Sequence, residues 1–472
     1  QVDRSCGDVN CNGRALRVPD DVPDIATALA RRAPGDTVCL GVGTFPVEVS
    51  TDASADPIRL RGVNQIIQDR TILVPVASGR TLLETRSGLD LQALTVVADD
   101  APALVVHNGD VLLSEVRLTG TGGLTPTSRP TCTGLLLDQR ALPRSTRLER
   151  VHVVDVNCGA AGVTAGDPGL VRTAGPLELI DVYVGDVDLD QRRGLTGGLF
   201  RGGRLSRVDG LVVEGVWIAS EGLVQGAVLS AASLSSVHDV RVDGLGVEAP
   251  ALRGGLVHTT LAAGATTTLT RVALRDVALV SQGVGDELTG IVAYAAGSAP
   301  VPAGELEVRQ LLVAGLVVST GYTHGGGRLL HAMAGHGTLA YATIVGIEDW
   351  SAGSFSARIG HAAHGWDARG VVVAWDDSTR HDDAWFVSAT GGWNAVWTAE
   401  WTDVPSAPWV GVPGFVTPAP DSVLPTPQEV AGWDLHLAQG SPLLQRGPPD
   451  EEDGATGKRA SIGAYGGPDG SW

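Results

Sequence analysis

One six-position pattern, apolar-x-x-apolar-x-apolar, recurs along most of the chain. It begins at Leu91-Gln-Ala-Leu94-Thr-Val96 and returns at 113–118, 148–153, 179–184, 208–213, 237–242, 269–274, 308–313, 339–344 and 368–373. Marked by the central apolar residue (Leu94, Val116, Val151, Val182, Leu211, Val240, Val272, Leu311, Ala342, Val371), the copies step by 22, 35, 31, 29, 29, 32, 39, 31 and 29 residues. A period near thirty is that of a solenoid rather than a globular domain. Short strands of this kind alternate inward and outward with period two. None can bury its apolar face alone, so stacked copies share one continuous core.

A second strand precedes the first in the middle copies, at 198–201, 227–230, 256–259, 291–294, 329–332 and 358–361. Glycines stand just ahead of it (Gly197, Gly226, Gly254, Gly255, Gly325, Gly326, Gly327), where a sharp corner needs positive φ. Two or three strands per coil joined by corners describe an all-β parallel β-helix. A propeller blade needs four strands in roughly 40–45 residues, which fits less well. The expected organisation is a cap over 1–45, coils over 46–375, and irregular last coils with a C-terminal cap over 376–472.

Composition narrows the partners. Lys plus Arg number 34 against 53 Asp plus Glu, a net charge of −19, which opposes nucleic-acid phosphate and anionic lipid. Cations, glycans and other surface proteins fit better. No stretch nears the roughly 18 apolar residues of a spanning helix. The chain opens on Gln1-Val-Asp-Arg without a charged-then-apolar leader, so a signal peptide either has been removed or did not exist. Five cysteines favour an oxidising compartment. Cys132 and Cys158 are 26 residues apart, about one coil, and are expected to pair on neighbouring turns. Of Cys6, Cys11 and Cys39, the pair Cys11–Cys39 is preferred over the short Cys6–Cys11 loop.

The two ends carry a family resemblance. Asp20-Asp-Val-Pro-Asp-Ile-Ala-Thr-Ala-Leu-Ala-Arg-Arg reads as a short amphipathic helix, acidic at its start and basic at its end, followed by Gly35-Asp-Thr and Gly43-Thr-Phe. This resembles the entry segment of secreted right-handed parallel β-helix proteins. Leu435-His-Leu-Ala-Gln-Gly-Ser-Pro-Leu-Leu-Gln-Arg-Gly447, then Ser461-Ile-Gly-Ala-Tyr-Gly-Gly467, resembles the closing motif of bacterial surface β-helix proteins of the polymorphic outer-membrane and choice-of-anchor type. The resemblance implies about ten or more right-handed coils, a capping helix that plugs the first coil, and an extracellular or cell-surface location. It also implies a chain that can continue past Trp472. Where that family commonly carries acids this chain has Gln445 and Ser461, so calcium, if used, falls to Asp450, Glu451, Glu452 and Asp453.

Candidate chemistry is sparse. Asp186, Asp188 and Asp190 alternate along an extended segment, so they share a face, with Arg192 and Arg193 beyond. Such a set suits a calcium-dependent polysaccharide lyase or a glycoside hydrolase; the expected alternative is a solvated corner loop. His258, His331 and His361 fall on the same strand type, flanked by His324, His336 and His364, and the steps 361 − 331 = 30 and 364 − 336 = 28 suggest stacking. Stacked imidazoles can bind a transition metal or serve as acid and base. Ten of the eleven tryptophans lie from Trp350 onward, and Trp385, Trp393, Trp397, Trp401 and Trp409 offer either a lid on the last coil or a surface for sugar rings or a neighbouring subunit. No nucleophile elbow, phosphate loop or His-Glu-x-x-His run is present. The expectation is a non-catalytic structural or adhesive β-helix, able to self-assemble into oligomers or filaments. A glycan-binding module or a polysaccharide-cleaving enzyme stands as the alternative. No resident cofactor is expected, calcium apart.

Overall fold

The computed structural model describes residues 15–52, 56–63, 71–99, 101–120, 136–140, 144–158, 169–191, 195–281, 288–297, 304–320, 328–333, 335–349, 358–362, 365–376, 389–396, 409–410, 413–417, 427–454 and 456–467. The chain forms two compact units, Gln1–Val212 with Val216–Ala219, and Val213–Gly215 with Ser220–Trp472. Both are built from parallel strands in a solenoid-like stack, and the described helices are two short ones, Ile25–Arg31 and Pro427–Ala431.

In the first unit the strand Ala15–Val18 pairs in parallel with Thr37–Leu40, and the helix Ile25–Arg31 packs against them. Asp24 caps that helix, its carboxylate accepting from the Thr27 N–H at 2.7 Å, while Ile25 and Ala28 face inward. One ladder then climbs through Ile58, Leu89, Val111, Thr146 and Leu177, each opposite the next. In the second unit the ladder reads Val240, Val272, Leu311 and Ala342, with Val242, Leu274, Val313, Ile344 and Val373 beside it.

The sequence steps are these registers. Val116 faces Leu94, Leu113 faces Leu148 and Leu148 faces Leu179, giving 22, 35 and 31; Val240–Val272, Val272–Leu311, Leu311–Ala342 and Thr343–Val372 give 32, 39, 31 and 29. The marker residues are buried throughout the described coils, from Leu94 and Val116 to Leu311 and Ala342.

Two inward residues three apart cannot lie on one unbroken strand, whose faces alternate. The residue before each marker resolves this by turning left-handed. In the first unit these are Ala93 (φ 54°), Glu115 (56°), Arg150 (50°), Asp181 (51°) and Gly210 (73°). In the second they are Asp239 (51°), Arg271 (55°), Gln310 (55°), Tyr341 (58°) and Gly370 (66°). A second left-handed corner follows five residues later: Asp155 (54°) and Asp186 (53°) in the first unit, and Gly215 (60°), Gly244 (69°), Asp276 (49°), Gly315 (73°) and Gly346 (66°) in the second. Aspartate and glycine are the residues that visit this region most readily.

Of the glycines expected at corners before the second strand, Gly197, Gly226 and Gly254 are left-handed at φ 77°, 68° and 77°, Gly255 is not, and Gly325, Gly326 and Gly327 lie outside the described residues. The register of that strand differs by one residue from the sequence alignment: Leu229 faces Val257, which faces Ala293, which faces Leu330. The whole run 227–230 is buried, so no polar alternation marks which residues point inward.

In the second unit the C-terminal segment lies along the outward side of the coils. Phe415, Val430, Leu435, Leu443, Ile462 and Ala464 pack on Ala273, Leu312, Ala314, Val345 and Val372. Polar contacts fix its position. The Ala464 N–H donates to Thr343 Oγ1 at 2.9 Å, the Gly463 N–H to the Gly370 carbonyl at 2.8 Å, and Arg275 reaches the carbonyls of Ala431 and Trp433. The closing motif thus acts as a side cover for this unit.

Candidate functional site

Asp186, Asp188 and Asp190 lie on the long strand Val171–Gln191, which turns a corner at Asp186. Val187 and Leu189 are buried, and the aspartates point the other way, Asp186 and Asp188 being exposed. Their shared outward direction follows the expected alternation. Asp186, however, is the left-handed corner residue of its coil, the same place that Asp155 and Asp276 take in theirs. Asp188 stands in register with Asn157, so no second carboxylate faces it from that neighbour. Arg192 and Arg193 lie outside the described residues.

The histidines do form a column, but a tyrosine divides it. Ser230, His258, Tyr294, His331 and His361 are successive partners across the stack. The His258 and Tyr294 rings stack 5.3 Å apart at 6°, and Tyr294 and His331 meet at 5.0 Å and 60°. Two rungs separate His258 from His331, about 9.5 Å, whereas one ion would need both nitrogens within ~2 Å of itself. Burial first, and the Arg253 charge second, push the His258 imidazole down to about 4, so it is neutral at physiological pH. Tyr294 and His331 are 3% and 4% exposed, and Arg253 lies 5.9 Å from the Tyr294 ring centre. This is a packed aromatic ladder with one cation against it. His336 belongs to another column, opposite Glu305, while His324 and His364 lie outside the described residues.

The acids near the C-terminus are engaged in local structure. Tyr341 donates its hydroxyl to Glu451, and burial, that bond and the charges of Glu451 and Asp450 push the phenol up, against Arg309. Glu452 and Arg459 form an antiparallel bridge, and Asp453 accepts from the Thr456 N–H at 3.1 Å. Among the described residues no three of Asp450, Glu451, Glu452 and Asp453 converge on one point. Where the resembled family carries acids, the Gln445 N–H donates to Ser461 Oγ at 3.2 Å, with Gln445 itself left-handed at φ 56°.

Of the tryptophans, Trp393 is 42% exposed at a left-handed corner (φ 56°), and Trp409 lies on a strand opposite Ala395. Trp385, Trp397 and Trp401 lie outside the described residues. Trp366, not singled out from sequence, is fully buried, and a Cβ built on Gly337 would come within 2.4 Å of its ring. Cys39 is buried on the strand Thr37–Leu40, and Cys158 stands opposite Leu189. Cys6, Cys11 and Cys132 lie outside the described residues.

The strongest electrostatic arrangement was not anticipated. Asp138, fully buried, accepts two parallel bonds of 2.8 Å from Arg172 and one of 2.6 Å from Arg140. Burial alone would raise its carboxyl, but the two guanidinium groups outweigh this and hold it below the usual carboxylate range. Next to it the Gln139 Oε1 accepts from Thr173 Oγ1 at 2.8 Å and the Ala174 N–H at 3.2 Å. Its only sequence trace is Asp138 with Arg140 two residues on, a spacing that many exposed strands here share, such as Arg147 with Glu149.

No protein-family model, curated protein or solved structure matches the chain.

Proposed function

We propose that this chain is a non-catalytic scaffold of the cell surface or extracellular space, a right-handed parallel β-helix of about ten or more coils. The helix Ile25–Arg31 serves it as an N-terminal cap and the Trp-rich region as an irregular C-terminal one. The observation that carries this reading is the corner column. Asp186, the leading member of the acid cluster, repeats as Asp155 and Asp276 at the same left-handed turn, which accounts for the residue by backbone geometry. The outward carboxylates are also largely matched along their own strands, as in Arg147–Glu149, Arg241–Asp243 and Arg369–Asp367. Rigidity is the property such a stack supplies, and attachment to glycans, surface proteins or further copies of itself is its use.

Incubation with a broad panel of neutral and acidic polysaccharides, with and without calcium, tests the catalytic part. No release of unsaturated or reducing ends is expected; release abolished by Asp188→Ala would overturn the reading. Light scattering with negative-stain electron microscopy tests assembly, regular oligomers or filaments being the expected particles and single-chain rods the contrary result.

A further inference from the structure

The chain carries a net charge of −19, yet the first unit holds an open groove of about 620 Å³ lined, among the described residues, by Arg59, Arg86, Arg144 and Arg147 with only Asp90 and Asp110 as acids. The acids are already occupied. Asp110 Oδ1 accepts from the Ser145 N–H at 2.8 Å and its hydroxyl at 3.2 Å, and Asp90 accepts from Gln92 at 3.0 Å. Arg147 is matched by Glu149 and Glu178, and Arg59 donates to the Gly35 carbonyl. Arg86 and Arg144 are exposed and make no ion pair among the described residues. The groove therefore presents two exposed guanidinium groups with no paired carboxylate, beside two carboxylates held by neutral donors.

Its walls are held from beneath. Gln139, fully buried, donates from Nε2 to the carbonyls of Gly109 and Arg144, each at 3.4 Å, while its own carbonyl is fixed by Thr173 and Ala174. Gly109 packs so closely on the rung before it that a Cβ would fall 2.2 Å from the Ser87 carbonyl. The registers place Arg86 in the coil of Leu83 and Leu89, and Arg144 two coils on, in the coil of Leu137 and Thr146. Two rungs measure about 9.5 Å. That is the length of a disaccharide unit, and exceeds the ~6.8 Å between same-face residues of an extended peptide. Among the described residues no aromatic ring lines the groove to stack a base. The net charge of −19 opposes any polyanion, so attraction must come from the two guanidinium groups themselves, whose spacing suits a chain with charges set well apart better than a polyphosphate charged at every link.

We propose that this groove binds a linear acidic polysaccharide, with Arg86 and Arg144 each taking the carboxylate of alternate uronate residues. The planar fork of each guanidinium matches a carboxylate bidentately. This site gives the glycan attachment proposed for the scaffold a definite place, and its test stands on binding alone, whether or not the chain assembles or cleaves anything.

The test is calorimetric titration of the full chain with a hexameric oligouronate at low salt, beside a neutral hexasaccharide of the same length and a sulfated one. Saturable binding of the oligouronate is expected, absent for the neutral sugar and weakened by added salt. Arg86→Gln/Arg144→Gln should weaken it by about tenfold or more, and Arg241→Gln, on an exposed strand of the second unit, should leave it unchanged. Thermal melting checks that each variant is folded, and the two single variants replace the double should it melt early. Absence of oligouronate binding, equal binding of the neutral sugar, or unchanged affinity in the folded arginine variants would each overturn the proposal. Tighter binding of the sulfated sugar through the same arginines would overturn its carboxylate assignment.

Discussion

The outward position just after each marker residue reads differently in the two units. In the first, between a buried Thr95 and a half-buried Val212, it is Arg117, His152 and Tyr183, partner to partner, partly exposed and polar at the edge. In the second it starts with an exposed Arg241 and continues as Ala273, Leu312, Thr343 and Val372, buried at 5%, 1%, 1% and 0% under the C-terminal segment. The inward positions beside these columns are interchangeable Val, Leu and Ile in both units. A stacked parallel ladder therefore fixes its inner face by common need and leaves its outer face to be assigned coil by coil. The second unit uses that freedom for a side cover, and the first keeps its outside charged and open.

The sharpest way to break the comparison is a charge in the same column of each unit. Leu312→Asp places an unpaired carboxylate between the coils and the segment carrying Ile462 and Ala464, and should destabilise the second unit by more than about 4 kcal/mol. Arg117→Ala removes a partly exposed ion pair with Asp155 at 2.9 Å and should change stability by about 1 kcal/mol or less. Denaturant titration of both variants reads the contrast. Equal effects would show that the cover adds nothing to the second unit.

The first unit has its own vulnerable point in Asp138. Asp138→Asn leaves Arg172 and Arg140 facing a neutral amide in a fully buried place, and should cost about 3 kcal/mol. Its pH dependence follows in sign. A carboxyl held below its unfolded value near ~3.9 contributes stability that is present above that pH and lost as pH falls through the folded value. The second unit responds in a different window. His258 is pushed down to about 4 from an unfolded value near ~6.5, so its contribution is complete above the unfolded value and is lost as pH falls between the two. His152 of the first unit is lowered too, by burial and then by the Arg117 charge. Both units should thus lose stability as pH falls below the unfolded histidine value, and His258→Gln should remove the second unit's share of that loss while leaving the step below pH ~4. A wild-type melt that stays flat between those pH values would contradict the burial of a neutral imidazole there.

The inner face was legible because the pattern that builds it must repeat: residues 35 apart in one copy and 39 apart in another still face each other, as Leu113 faces Leu148 and Val272 faces Leu311. The first corner column was not, since Ala93, Glu115, Arg150, Gln310 and Tyr341 share no left-handed preference and are held there by the stack itself. The second was readable in principle, because the fourth residue after the marker is Asp or Gly in seven successive copies from Asp155 to Gly346. The histidine column was read through three of its members, His258, His331 and His361, but Tyr294, which separates the first from the other two, enters only when the second-strand register is shifted by one residue. The side cover left no local trace: Thr343 and Ala464 are 121 residues apart, and a contact at that separation has no periodicity to announce it.

The smallest expected effect is the most diagnostic for Asp186. If its place is dictated by the turn, glycine, which adopts φ 53° without strain, should serve as well as it does at Gly215, Gly244, Gly315 and Gly346. Asp186→Gly should then shift stability by less than about 1 kcal/mol in either direction, relief of left-handed strain offsetting the added freedom of the unfolded chain. Gly315→Val at the same turn of the second unit should instead cost about 2 kcal/mol, because a β-branched residue is an outlier at φ 73°. A loss near 2 kcal/mol for Asp186→Gly would mean that its carboxylate, and not its backbone, holds the corner. The outward face of the first unit would then contain an anionic determinant that the repeat alone does not explain.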